Sequence, residues 1–208
     1  MRKPVTVVWD VDGVLADFCL GFTLLANELY GTQVLTSYEC KTWGWSDGQG
    51  GLTKEVMDGT WKYIKHSSYY WQDLPPLATK KEFGGIEKMA QNNIMIPYFI
   101  TARPGIHAQQ QTAIFLTQHG ITFPTVILAY PGVDMAPSSV KGGLCKYLGA
   151  QLAIDDNVGN IEDIAKNSPT IPFIRSLPYN EHYTCSTRVE DVTQFLDVVE
   201  CLYEEGSR

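Results

Sequence analysis

Residues 5–18 read VTVVWDVDGVLADF. The run Val5-Thr6-Val7-Val8-Trp9 is apolar and β-branched, as suits a strand buried on both faces of a parallel sheet. Two carboxylates follow, Asp10 and Asp12, with one residue between them. Gly13 permits a tight turn. Apolar residues at helical spacing (Leu15, Phe18, Phe22, Leu25) then begin. In an open α/β sheet, ligands sit beyond the carboxyl ends of the strands. Both acids therefore fall at the mouth of the expected fold. Neighbouring carboxylates repel unless a cation lies between them or one keeps a proton. A hard cation such as Mg2+ answers that repulsion, and a carboxylate can also act as a nucleophile. A surface turn rich in Asp and Gly explains the same pattern without chemistry.

Working outward, periodicity predicts a helix from Val14 to Tyr30, stopped at Gly31. The texture then changes. Residues 32–77 are polar, glycine-spotted and aromatic, and hold four of the five tryptophans. A helix is predicted over Thr53–Lys65, but no β-α-β rhythm. From Lys80 that rhythm returns. Helices are expected at Lys80–Asn92, Gly105–Gln118, Ser138–Leu148, Val158–Lys166 and Val189–Tyr203. Strands are expected at Met95–Ile100, Thr125–Leu128, Gln151–Ile154 and Ile171–Ile174. Strands and helices alternating in this way imply a doubly wound, Rossmann-like parallel sheet of five strands with helices on both faces. Residues 1–17 and 78–208 form its α/β core. Residues 18–77 form a small, mainly helical cap inserted after the first strand.

The chain has 208 residues and a net charge of −7. That balance offers no basic surface for a nucleic-acid polymer, yet permits a single mononucleotide beside a metal. The five cysteines are scattered, with no C-x-x-C pair, and read as reduced thiols of a cytoplasmic protein. No apolar run approaches the ~20 residues that span a membrane.

Two further predicted strand ends carry residues fit for chemistry. The second strand delivers Thr101-Ala102-Arg103. A hydroxyl and the next backbone N–H can grip a phosphoryl oxygen at a helix N-terminus, or Thr101 simply caps that helix. Arg103 offers a charge-assisted contact to the phosphate, or pairs with a cap acid. The fourth strand ends in Asp155-Asp156. Like charges massed there call for a metal. A lysine should offset them. Lys141 stands at a helix start that points to the mouth, and Lys146, a turn further in, stays open as the alternative.

DVDGVLADF resembles the first motif of the haloacid dehalogenase superfamily of phosphohydrolases, and its GVLADF extension resembles the 5'(3')-deoxyribonucleotidases. LAIDD, at residues 152–156, resembles the superfamily's last motif. The stretch from Tyr69 to Leu77 is similar to the family's aromatic-then-proline return from the cap. The resemblance implies a Mg2+-dependent phosphomonoesterase. In it Asp10 attacks phosphorus to give an aspartyl-phosphate, and Asp12 protonates the leaving alkoxide and then activates water. Thr101, Ala102, Arg103 and Lys141 hold the phosphate. The metal set is the Asp10 carboxylate, Asp12 through its backbone carbonyl, and Asp156, with Asp155 as supporter. Phe18, Trp43, Trp45, Tyr70 and Trp71 are candidates for the base side, although eight aromatics in a small cap also make its own core. The implied substrate is a nucleoside monophosphate, perhaps a deoxypyrimidine one, and the implied assembly a homodimer. A phosphatase for another small ester or a nucleic-acid end, and a non-catalytic nucleotide-binding module, are the rival expectations.

Overall fold

A computed structural model describes residues 2–33, 52–129, 140–184 and 187–206. Among these residues lie six strands, all parallel, in the order β3-β2-β1-β4-β5-β6. The strands are β1 Val5–Trp9, β2 Met95–Thr101, β3 Val126–Leu128, β4 Leu152–Asp155, β5 Ile171–Arg175 and β6 Arg188–Val189. The helices are α1 Phe18–Tyr30, α2 Lys54–His66, α3 Lys80–Gln91, α4 Ala108–Gln118, α5 Lys141–Leu148, α6 Val158–Asn167 and α7 Val192–Glu205. The five expected strands are present, and β6 is a sixth. Its two residues, Arg188 and Val189, were expected at or just before the start of the last helix. They pair with β5, and Asp191 caps α7 instead, accepting from Gln194 N at 2.9 Å.

Pleating divides the core. Val5, Val7 and Trp9 face a layer that includes Phe83, Phe115 and Phe195, from α3, α4 and α7. Val8 faces Cys145 and Ile164, from α5 and α6. Helices on both faces explain why β1 is apolar throughout. Trp9 meets Phe195 edge-on at 5.0 Å between centroids, a favoured aromatic geometry.

The first helix begins later than its periodicity suggests, at Phe18 rather than Val14. Residues 11–16 close a compact loop instead: Leu15 N and Ala16 N both donate to Val11 O at 2.8 Å, and Gly13 N donates to Ala16 O. Gly13 sits at φ +75°, which a side chain would disfavour. Asp17 then caps α1, accepting from Leu20 N at 2.9 Å. The fourth helix likewise begins at Ala108, three residues later than Gly105. The chain leaving this loop runs beside a later one. Asp17 N donates to Pro75 O at 2.8 Å, and Leu77 N to Leu15 O at 2.8 Å. α1 and α2 pack together between those two points. Among the described residues no helix is long and apolar enough to cross a membrane. Cys145 and Cys201 are free thiols; Cys40 and Cys185 lie outside the described residues.

Candidate active site

β1 lies between β2 and β4, so the chain order reverses there. That switch point is where an open α/β sheet leaves a crevice beyond its strand ends. Register fixes what enters it. Trp9 pairs with Ile154, and Asp10 N donates to Ile154 O at 2.9 Å. The residues that follow each strand are therefore level. Asp10, Asp155 and Asp156 converge there, with one carboxylate oxygen from each within 4.8 Å of the others. All three are buried.

Lys141, the first residue of α5, reaches into this cluster. Its Nζ donates to Asp10 Oδ1 and, at 2.5 Å, to Asp155 Oδ2. Lys146 lies on the exposed face of the same helix. Asp155 is further held by Asn160 Nδ2, at 3.0 and 3.1 Å from its two oxygens, and by Asn157 N at 2.9 Å. Its oxygens are thus largely committed to protein donors. Asp156 has a different environment: its Oδ2 accepts from the Tyr179 hydroxyl, and Lys141 does not bond to it.

Burial dominates the electrostatics. It raises the Asp10 carboxyl well above its ordinary value against the pull of Lys141, with Asp155, Asp156 and Asp12 adding to the rise. Burial and then Asp155 push Asp156 up to about 8, despite the opposing Tyr179 hydrogen bond and Lys141. Burial also disfavours the charge on Lys141, but Asp10 and Asp155 overcome it and raise its pKa. The ammonium keeps its proton because it serves two carboxylates at once. Three carboxylates against one ammonium leave two negative charges out of water. Such a surplus is costly unless a proton or a cation relieves it. Hard oxygen donors in this number suit a divalent cation of the Mg2+ kind, so the residues present fit a metal.

Thr101, at the end of β2, is buried and lies opposite Asp12, its Oγ1 3.5 Å from Asp12 Oδ2. Arg103 departs from expectation. Its guanidinium binds the Asp12 carboxylate, through Nη2 to Oδ1 at 2.8 Å and Nε to Oδ2 at 2.9 Å. It was expected to face a phosphate or a cap acid, and it faces the second aspartate of the motif. Asp12 was expected to meet the metal through its backbone carbonyl, and its side chain lies outside the three-carboxylate cluster, turned to Arg103.

These groups share one cavity of about 400 Å³. Asp10, Asp12, Thr101, Ala102, Arg103, Lys141 and Asp156 line its polar end, and Phe18, Trp61 and Trp71 its aromatic end. Phe18 stacks on Trp61 and on Trp71, with centroids at 5.4 and 5.9 Å and planes within 28° and 26°. Tyr70 does not line this cavity. It lies behind Trp71, edge-on at 5.0 Å. Trp43 and Trp45 fall outside the described residues. Sequence reasoning overlooked Trp61, Asn157, Gly159 and Asn160, all on the wall. Helical spacing places Trp61 on the same face of α2 as Asp58 and Lys65, which does not mark it as inward. Asn157 caps α6, and a cap alone carries no sign of ligand contact.

The chain matches, over residues 3–202, the model of the family described as 5' nucleotidase, deoxy (pyrimidine), cytosolic type C protein. No curated protein matches it significantly. Among solved structures it is similar to a haloacid dehalogenase superfamily hydrolase, subfamily IA, variant 1, from Geobacter sulfurreducens PCA. The TM-score is 0.59 at 12% identity, covering 95% of this chain and 97% of that one. It is also similar to a haloacid dehalogenase-like hydrolase from Burkholderia xenovorans LB400, with TM-score 0.57 and 10% identity, covering 97% and 99%. At such identities the likeness speaks for the fold alone, which is of the haloacid dehalogenase type.

Proposed function

The chain belongs to the family of 5' nucleotidase, deoxy (pyrimidine), cytosolic type C proteins, and on that premise we propose that it hydrolyses nucleoside monophosphates, deoxypyrimidine ones foremost, in a Mg2+-dependent reaction. The observation that carries this reading is the meeting of Asp10 with Asp155, Asp156 and Lys141 beside an aromatic wall.

In the proposed reaction Asp10 attacks phosphorus and becomes an aspartyl-phosphate. Asp12 delivers a proton to the departing alkoxide and afterwards draws one from water. Lys141 and Thr101 hold the phosphoryl oxygens as negative charge gathers there. Asp10 and Asp156, with the Asp12 carbonyl, would hold the metal, and Asp155 would support Lys141. When bound, Mg2+ supplies positive charge that lets an anionic nucleophile approach an anionic ester. Residues 18–77 serve as a cap over the mouth, and Phe18, Trp61 and Trp71 take the base by stacking. Stacking contributes roughly 1–3 kcal/mol per base.

A panel of deoxy- and ribonucleoside monophosphates against sugar phosphates, with and without Mg2+, tests the proposal. Turnover of nucleotides above sugar phosphates, lost in Asp10→Asn, is the expected result. Nucleotide binding without any turnover would point instead to a binding module.

A further inference from the structure

Asp156 is held by two consecutive residues of one short turn. Residues Pro178–Asn180 form a single 3-10 turn after β5. Tyr179 donates its phenolic hydroxyl to Asp156 Oδ2. Asn180 sends its Nδ2 to the Asp156 carbonyl at 2.9 Å and to the Arg175 carbonyl at 2.8 Å. Side chain and main chain of the same aspartate are thus fixed together. The turn is itself anchored from β6. Arg188 donates through Nη1 to Asn180 Oδ1 at 3.0 Å, and through Nη2 to Asn180 O at 2.8 Å and Tyr183 O at 2.6 Å. Tyr179 is 7% exposed and Asn180 1%. From the opposite side Gly13 closes on both groups, and a Cβ there would strike the Asp156 carboxylate and the Tyr179 hydroxyl.

The type of donor matters. Asp155 spends both its oxygens on protein donors, Lys141 Nζ, Asn157 N and Asn160 Nδ2, and has little left to offer a metal. Asp156 meets a neutral phenol. One hydrogen bond from it fixes the carboxylate's orientation and leaves its charge and its remaining lone pairs unclaimed. A lysine or arginine at 179 would place like charge beside any metal. The sixth strand, too short to add much to the sheet, gains a purpose as the anchor of this turn.

Resting on the metal reading above, we propose that Tyr179 is a positioning residue that orients Asp156 toward a divalent cation, with Asn180 and Arg188 as its supports. Outer partners of this kind, when removed, typically cost about 10–100-fold in metal affinity. The test is calorimetric titration of Mg2+ into the full-length chain without substrate. Tyr179→Phe, which deletes one oxygen, should weaken Mg2+ binding about 10–100-fold while turnover recovers at saturating Mg2+. Arg188→Gln, which touches the turn and not Asp156, should weaken it less and in the same direction. Unchanged Mg2+ affinity in Tyr179→Phe overturns the proposal. Should that variant not fold, Arg188→Gln decides, and wild-type affinity there overturns it equally. A wild-type chain that binds no Mg2+ at all would sink the metal reading itself.

Discussion

Arg103 engages both oxygens of Asp12, with Nη2 2.8 Å from Oδ1 and Nε 2.9 Å from Oδ2. The guanidinium is wholly enclosed. It also donates to Thr112 Oγ1 at 3.0 Å and to the Trp71 carbonyl at 3.3 Å, and its carbon lies 4.9 Å from the centroid of the Trp71 ring. A fork that meets both oxygens fixes the plane of the carboxylate and leaves a lone pair on each oxygen for a proton. Arg103 therefore sets where Asp12 points, and ties that setting to the aromatic wall.

In the proposed reaction, removing Arg103 should damage the proton-transfer role of Asp12 and little else. General acid catalysis contributes about 10²–10⁴-fold. Arg103→Met should lose on the order of 10²-fold in kcat for a nucleoside monophosphate, whose alkoxide needs a proton. It should lose far less for 2,4-dinitrophenyl phosphate, whose leaving group needs none. Equal losses on both substrates would return Arg103 to phosphate gripping. Arg103→Lys should not rescue, because an ammonium cannot reproduce the fork.

The two lysines of α5 make a sharper contrast. Lys141 is buried between Asp10 and Asp155. Lys141→Met leaves both carboxylates unpaired out of water, and breaking a buried pair in this way costs about 3–5 kcal/mol. Chemical denaturation should show that loss, with activity down by about 10²–10³-fold or more. Lys146→Met should alter neither beyond about 0.5 kcal/mol. Comparable effects at the two positions would remove Lys141 from the site.

Excess buried anion should make the protein respond to Mg2+ in its stability. A ligand at 100 times its Kd stabilises by about 2.7 kcal/mol. For a chain of this size that is roughly 5–10 °C in Tm. Thermal melts with and without a chelator measure it, and Asp156→Asn should abolish most of the shift. A Tm indifferent to Mg2+ would leave the acidic cluster without a cation.

The same burial fixes a pH dependence in chelator. Asp156 titrates at about 8 in the folded protein, against the ordinary 3.8. A carboxyl raised on folding favours the folded state most when it is protonated. Its contribution is whole below about pH 3.8 and is lost as pH rises through about 8. The metal-free protein should thus lose stability from pH 6 to pH 9 relative to Asp156→Asn, which does not titrate. A constant difference between the two melting curves over that range would contradict it.

How much of this was legible depends on whether a residue's role is written in its neighbours along the chain. Asp10, Asp155 and Asp156 each end an apolar run, so the strand signal itself places them at one edge. Gly31 and Gly149 stop their helices in the left-handed conformation, at φ +66° and +63°, as glycine after a periodic run suggests. Lys141 was separable from Lys146 because a helix start faces the mouth. The late start of α1 was not legible. Leu15 and Phe18 keep helical spacing, while hydrogen bonds from Leu15 and Ala16 to Val11 O set the local geometry. β6 was hidden because two residues carry no periodicity. Tyr179 and Arg103 depend on partners 23 and 91 positions away, and no local pattern encodes such a distance.

Trp61 belongs to that last group. It stands on α2, with its ring 5.4 Å from Phe18 and nearly parallel to it, on the wall of the cavity. A ring that only packs against Phe18 would matter for stability. A ring that stacks on a base would matter for binding, with substrate and transition state affected alike. Such uniform binding raises KM and leaves kcat alone when removed. Trp61→Ala should therefore raise KM for nucleoside monophosphates, by roughly ten-fold for a loss near 1.4 kcal/mol within the stacking range. kcat should be preserved, and so should KM for a base-free sugar phosphate. A KM unchanged for the nucleotide, together with a lowered Tm, would assign Trp61 to the protein's own packing.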